Sequence, residues 1–157
     1  VTSVIMSLET WSEVDRARWC LGKVSVARNH YFQAWEHAIR YFGDGQVASV
    51  LLVGTEEIAS SLEGAGALIR AGVVPTLIPL RWYPESRFTD WTPVLPEAYV
   101  DLERKLGLML RPARLSAIRQ FGCTACGGCS LETAMESVLG LQDVAAKNDL
   151  PHDAVVQ

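Results

Sequence analysis

The sequence has no excess of positive charge and no long hydrophobic stretch. It holds 18 acidic and 14 basic side chains, a formal net charge of -4, whereas a nucleic-acid-binding surface needs clustered positive charge. Its longest apolar runs lie near Val47–Val53 and Val73–Leu80, far short of the roughly 20 residues of a membrane-spanning helix. We therefore expect neither a nucleic-acid partner nor a membrane partner.

The sequence also lacks a secretory leader, internal repeats and low-complexity segments. No charged region followed by an apolar run and a cleavage site occurs near its start, so we expect a soluble, cytoplasmic protein. With 49% hydrophobic residues among 157, the chain can bury the core of one domain. It starts directly in an apolar, β-favouring run, Val1–Met6, and we therefore expect that sequence is missing upstream.

Hydrophobic periodicity predicts an alternation of strands and helices. The predicted strands cover 2–8, 47–53 and 73–80, and the predicted helices cover 12–21, 29–42, 60–71 and 97–110. Such alternation is typical of parallel strands joined by helical crossovers. Because an open three-stranded sheet leaves both edges uncovered, we predict an α/β fold that is a partial (β/α) barrel of about three βα units.

The composition along the chain divides it into three parts. Residues 1–110 carry the predicted strands and helices of the partial barrel. Residues 111–140 are basic at first and then cysteine-rich, and 141–157 form a polar tail.

Polar residues follow each predicted strand. The first strand ends at Glu9-Thr10, the second at Gly54–Glu57 and the third at Arg81–Arg87, a stretch that includes Trp82. Ligands of parallel α/β folds bind beyond the carboxyl ends of the strands. This pattern favours a site for a charged, flat small molecule, while the alternative is that strand ends are polar simply because they are exposed.

Three of the four cysteines form the loop Cys123-Thr-Ala-Cys126-Gly-Gly-Cys129. Disulfides could use at most two of these three thiols, and short C-x-x-C steps suit thiolate ligation. We therefore predict that the loop binds an iron–sulfur cluster or a metal. Three thiolates fit a [4Fe–4S] cluster with one open position, whereas tetrahedral zinc would need a fourth ligand such as Cys20, His152 or a residue outside this chain.

The strand ends, in this order, resemble the C-terminal half of a radical S-adenosylmethionine (SAM) enzyme over about Ser3–Leu110. Ser7–Thr10 looks like the end of the fourth barrel strand, and the resemblance implies that Glu9 touches the ribose or the methionyl amino group of SAM. Val74–Pro79 resembles the sixth strand, and the resemblance implies that its backbone at Val74 borders the adenine.

The central strand is similar to the G-x-I-x-G-x-x-E motif of that family. Gly54 and Glu57 match its second glycine and its glutamate, while Val50 replaces the first glycine and Leu52 replaces the isoleucine. The resemblance implies that this segment lies along the adenine, so Leu52, Gly54 and Glu57 join the candidate SAM-binding residues.

The C-x-x-x-C-x-x-C motif that defines the family is absent from this sequence. The cysteine loop resembles instead the auxiliary-cluster motifs that follow the barrel in many of these enzymes, which favours iron–sulfur over zinc. The resemblance then implies a fragment or one part of a split enzyme, unable to cleave SAM alone. Its partners would be the missing N-terminal half or a complementary subunit, and a small-molecule substrate.

A second hypothesis from a different class stays open. The chain is then a non-catalytic module, either an iron–sulfur electron carrier or a zinc-stabilised partner domain. A C-x-x-x-C-x-x-C stretch upstream of Val1 in the parent gene would decide for the enzyme.

Overall fold

The computed structural model describes residues 2–81, 93–113 and 115, and near the C-terminus only 129–131, 134, 135 and 138. Within these residues three strands and four helices follow one another along the chain. The strands are β1 (Val4–Ile5), β2 (Val47–Val53) and β3 (Val74–Pro79), and the helices are α1 (Glu13–Trp19), α2 (Arg28–Phe42), α3 (Ile58–Arg70) and α4 (Pro96–Ala113). The predicted α/β class is confirmed.

The sheet has the order β1-β2-β3, and both pairs of neighbours are parallel, as predicted. Val4 lies opposite Val47, and Leu51 lies opposite Leu77. The first strand is shorter than the predicted 2–8. After it, the chain stays beside β2 through hydrogen bonds from the Met6 N–H to the Ala48 carbonyl and from the Leu8 N–H to the Ser49 hydroxyl, at 3.0 and 3.1 Å, and through an isolated bridge between Glu9 and Leu51.

The main core lies between one face of the sheet and the helices α2, α3 and α4. Alternate residues of β2 and β3 face this core because side chains alternate along a strand. Its fully buried members include Leu51 and Leu77 from the sheet, Trp35 from α2, Leu68 from α3 and Leu106 from α4. Trp35 also donates its indole N–H to the Met6 carbonyl at 3.2 Å, so its one donor is satisfied.

The other face of the sheet is apolar too, which explains why the strands are continuous hydrophobic runs. Its side chains come from alternate positions: Ile5, Ala48, Val50, Leu52, Val74, Thr76 and Ile78. Leu115 packs against Ala48 and Val74 on this face, and no helix of the described residues contributes to that cluster.

Helix ends follow local chemistry, although some bounds differ from the predictions, and α1 ends at Trp19 rather than at 21. Gly72, at φ +75°, ends α3 as predicted, since a left-handed residue there favours glycine. However, α3 begins at Ile58 rather than at 60, and α4 continues through Pro112 to Ala113 rather than ending at 110.

Several predicted segments fall largely outside the described residues: the polar stretch Arg81–Arg87, the cysteine loop Cys123–Cys129 and the tail 141–157. None of the helices within the described ranges is long and apolar enough to cross a membrane.

Candidate functional site

Glu9 lies in the segment that follows β1 and forms the isolated bridge with Leu51 of β2. Its N–H donates to the Val50 carbonyl at 3.0 Å, and its carbonyl accepts from the Leu52 N–H at 2.7 Å. Its φ is +76°, a left-handed conformation that costs a non-glycine residue about 1–3 kcal/mol. The carboxylate Oε1 lies 2.5 Å from Lys23 Nζ.

A relay of hydroxyl groups joins the end of β1 to the end of β2. The Thr55 hydroxyl donates to the Leu52 carbonyl at 2.7 Å. Its only proton is thereby used, so the Thr10 hydroxyl donates to Thr55 Oγ1 at 3.0 Å. Cys20 Sγ lies 3.5 Å from Thr10 Oγ1 and then acts as the donor. The relay fixes the turn after Leu52 against residue 10.

Glu56 ties three segments together at the same end of the sheet. Its carboxylate accepts the backbone N–H groups of Trp11 and Ser12, at 3.2 and 2.6 Å. It also accepts the hydroxyl groups of Ser60 and Ser61, at 2.9 and 3.1 Å. Because both of its oxygens are engaged by the protein, Glu56 holds the site together rather than contacting a ligand.

A cavity of about 390 Å³ opens beside these residues, within the roughly 300–1,000 Å³ of small-molecule sites. It is lined by α1, the turn after β2 and the start of α4, through Asp15, Arg18, Trp19, Gly54, Thr55, Glu56, Glu57, Ile58, Pro93, Val94, Leu95 and Ala98.

The charged lining of the cavity has both signs. The Arg18 guanidinium lies over the Trp19 ring, 4.6 Å from its centroid. Asp15 and Glu57 are the acidic residues of the lining besides Glu56, and neither forms an ion pair with another residue of the described ranges. The amino end of α3 has no side-chain cap at Glu57, so its first amide groups add a partial positive charge. The cavity therefore suits a ligand that has an aromatic ring, a positively charged group and a negatively charged group.

The structure brings four of the five predicted SAM-binding residues to one region. Gly54, at φ +105°, and Glu57 line the cavity. A backbone hydrogen bond joins Glu9 to Leu52, and Leu52 precedes Gly54 by two positions along the chain. Val74 is separate, because it is the first residue of β3 and pairs with Ala48 near the start of β2.

The predicted metal ligands are described only in part. Cys129 is partly buried and its thiol is free, whereas Cys123 and Cys126 lie outside the described residues. Within the described part, no three His, Cys, Asp or Glu side chains are grouped in a way that could hold a metal ion. Arg81 is exposed at the end of β3, and Trp82 and Arg87 are likewise outside the described residues.

Sequence reasoning missed three residues that build this region: Arg16, Lys23 and Glu56. Arg16 is only 1% exposed, but nothing in a sequence distinguishes a buried arginine from the usual exposed one. Glu56 had no local signal either, because the backbone N–H groups that it binds, at Trp11 and Ser12, are 45 and 44 residues away. Lys23 had none, because its partners Ser7 and Glu9 are 16 and 14 residues away.

No protein-family model, no curated protein and no solved structure matches this chain.

Proposed function

We propose that this chain is the C-terminal part of a radical SAM iron–sulfur enzyme and that it binds SAM at the carboxyl ends of β1 and β2. The observation that carries the proposal is the cavity beside the Gly54–Glu57 turn, with Glu9 at the neighbouring strand end. The order of the motifs along the sequence supports the same assignment.

The chemistry of SAM matches the groups in this region. SAM carries an adenine ring, a ribose with two hydroxyl groups, and an amino acid with an ammonium and a carboxylate. The exposed Arg18 guanidinium, which lies over the Trp19 ring, offers a flat cationic surface on which an aromatic ring can stack. The carboxylates of Glu9 and Glu57 accept hydrogen bonds from hydroxyl or ammonium groups, each contributing about 1.5–3 kcal/mol. Gly54 lets a ligand lie against the backbone.

The outer edge of β3 supports a barrel that ends at this strand. The Leu80 N–H donates to the Val53 carbonyl of β2 at 2.9 Å. Because successive backbone N–H and C=O groups of a strand point to opposite edges, those of positions 75, 77 and 79 point away from β2, toward the outer edge. Pro75 and Pro79 have no N–H to offer a further strand. The Tyr99 hydroxyl from α4 donates to the Leu77 carbonyl at 2.9 Å. Prolines and covered carbonyls are devices that close a sheet edge.

The outer edge of β1 is different. Val4 and Met6 donate their N–H groups to the carbonyls of Gln46 and Ala48, both at 3.0 Å. The backbone N–H groups of Ser3 and Ile5 therefore point to the outer edge, away from β2. Neither of these two amides has a hydrogen-bond partner elsewhere in the described residues. We therefore assign this edge to the missing N-terminal half of the barrel or to a complementary subunit, whose strand would pair with it.

The cysteine loop fits an iron–sulfur cluster by its donor set. Cys123, Cys126 and Cys129 supply three thiolates within seven residues, and the thiol of Cys129 takes part in no disulfide. When bound, such a cluster would supply electron transfer. The residues of this chain hold the cluster and the SAM, and the substrate would bind between this part and its partner.

Binding of SAM, measured by calorimetry on the reconstituted assembly of this chain and its complementary part, tests the proposal. We expect Glu9→Gln to weaken binding about tenfold, since one charge-assisted bond is worth about 1.4 kcal/mol or more. Gly54→Val should weaken it further, because its side chain enters the space beside the strand. Asp44→Asn is the matched control, since Asp44 is an exposed acid before the opposite end of β2. Equal affinities in all four proteins would mean that these strand ends only face solvent.

Iron and sulfide content after anaerobic reconstitution tests the cluster. We expect the wild type to bind both, and the variant with alanine at 123, 126 and 129 to lose them. Cys20→Ala should keep them, because Cys20 lies in the hydroxyl relay. Uptake of zinc alone would favour the non-catalytic module.

A further inference from the structure

Glu9 has an unusual backbone for a charged residue. In the described part of the chain it is the one residue other than glycine with a positive φ. Its main chain is nevertheless fixed on both sides, by hydrogen bonds to Val50 and Leu52. A residue other than glycine keeps this left-handed backbone conformation only where several contacts hold it there, and such residues cluster at functional sites.

Lys23 contacts this residue in two ways. Its ammonium donates to the Ser7 carbonyl at 2.8 Å, and it binds Glu9 Oε1 at 2.5 Å. One bond thus fixes the main chain before Glu9 and the other fixes its side chain. The side chains of Lys23 and Glu9 are 37% and 24% exposed, so the pair is accessible at the carboxyl end of β1.

A buried arginine holds the segment that carries Lys23. Arg16 is 1% exposed, and its Nη2 donates to the carbonyls of Lys23 and Val26 at 2.7 and 2.6 Å. Its guanidinium also lies over the Tyr31 ring, 5.4 Å from the centroid. A buried cation is tolerated only while such bonds replace its hydration, so Arg16 fixes the main chain at 23 and 26.

We infer that Lys23 is a positioning residue of the ligand site. Fixed by Arg16, it keeps Glu9 in its left-handed conformation with the carboxylate at the carboxyl end of β1. This inference rests on the proposed function, in which Glu9 contacts SAM. It adds a residue that acts on the ligand only through Glu9.

Amide hydrogen exchange, measured residue by residue, tests the contact without any ligand. In Lys23→Met the amides of Glu9 and Leu52 should exchange about tenfold faster, because the bond that holds Glu9 in place is lost. The amides of Val4 and Met6, which pair with the same strand, should not change. Lys23→Arg should restore slow exchange, since it keeps the charge and the donors. Unchanged rates at Glu9 and Leu52, or equal acceleration at all four amides, would overturn the inference.

SAM affinity then tests whether the contact serves the site. Lys23→Met should weaken binding about tenfold, and the same change should have no further effect in a Glu9→Gln protein. An equal loss in both backgrounds would mean that Lys23 acts independently of Glu9, which overturns its positioning role. If the wild type binds no SAM, the proposed function fails, while the exchange rates still decide whether Lys23 holds Glu9.

Discussion

Glu103 lies on the buried side of α4 and is 1% exposed. Neither of its carboxylate oxygens has a hydrogen bond of good geometry within the described residues. The neighbouring Tyr99 hydroxyl already donates to Leu77. Burial therefore raises the pKa of Glu103 to about 7, and nearby Tyr99 and Leu131 offset the effect only in part.

This raised pKa makes stability depend on pH. Between about pH 4.5 and 7 the folded chain keeps a proton at Glu103 that the unfolded chain releases, so the free energy of unfolding falls as pH rises through this window. The loss is on the order of 3 kcal/mol. We expect Glu103→Gln, which stays neutral, to match the wild type near pH 4.5 and to be more stable above pH 7, as measured by urea unfolding.

The measured quantity is the difference between the two proteins across pH, because other carboxyl groups titrate equally in both. Asp101, for example, has a pKa lowered by hydrogen bonds to Lys105 and Arg104, and it is unchanged in the variant. A difference that does not vary between pH 4.5 and 8 would contradict a buried, titrating Glu103.

At the scale of the elements, α3 fits against the segment before α1 through a glycine. A Cβ placed at Gly64 would lie 2.8 Å from Trp11 Cβ and Cγ. Trp11 cannot retreat easily, because its N–H is bound by Glu56 and its ring lies under Arg28, 4.0 Å from the guanidinium carbon. The close approach brings α3 against the segment that leads into α1, and α1 lines the cavity.

We expect Gly64→Ala to lower the free energy of unfolding by about 1–3 kcal/mol, the usual cost of overpacking. Gly66→Ala in the same helix is the control. Its Cβ would meet the flexible ends of Met109 and Arg70, at 3.2 and 3.3 Å, and alanine gains about 1 kcal/mol of helix propensity over glycine. Chemical denaturation of both variants checks the contrast, and equal stabilities would mean that Trp11 moves away.

The elements themselves were largely predictable, because their signals are local. The bounds of β2 match the apolar run 47–53, and Gly72 ends α3 as its lack of a side chain suggests. The first strand was predicted too long. The apolar pattern of 2–8 continues to residue 8, but the conformation of Glu9 and its contact with Lys23 depend on other segments.

At the scale of the whole molecule, the two sheet edges differ in their capacity to accept another strand. The β3 edge has prolines at 75 and 79. At the β1 edge the amides of Ser3 and Ile5 have no partner among the described residues, and no residue from Thr2 to Leu8 is charged. An uncharged, unpaired edge is a template for association. We therefore expect the isolated chain to self-associate through β1.

The test is sedimentation of the chain at increasing concentration. Ile5→Pro should remove the association and change the free energy of unfolding by less than about 1 kcal/mol, since the Ile5 amide has no hydrogen-bond partner in the part of the chain that the structure describes. Val4→Pro is the comparison, because it removes the bond to the Gln46 carbonyl and should cost at least about 1–3 kcal/mol. Association that persists in Ile5→Pro would place the contact elsewhere.

The sequence by itself determined the α/β class, the parallel order of the strands and the carboxyl-end position of Glu9, Gly54 and Glu57. Each of these follows from hydrophobic period and from turn residues, which act over a few neighbouring positions. Only the tertiary structure decided that the Glu56 carboxylate accepts four hydrogen bonds from the protein. It also decided that Val74 lies at the opposite end of the sheet and that Lys23 binds Glu9. These contacts join segments whose distance and orientation depend on how the strands and helices pack, which no local pattern specifies.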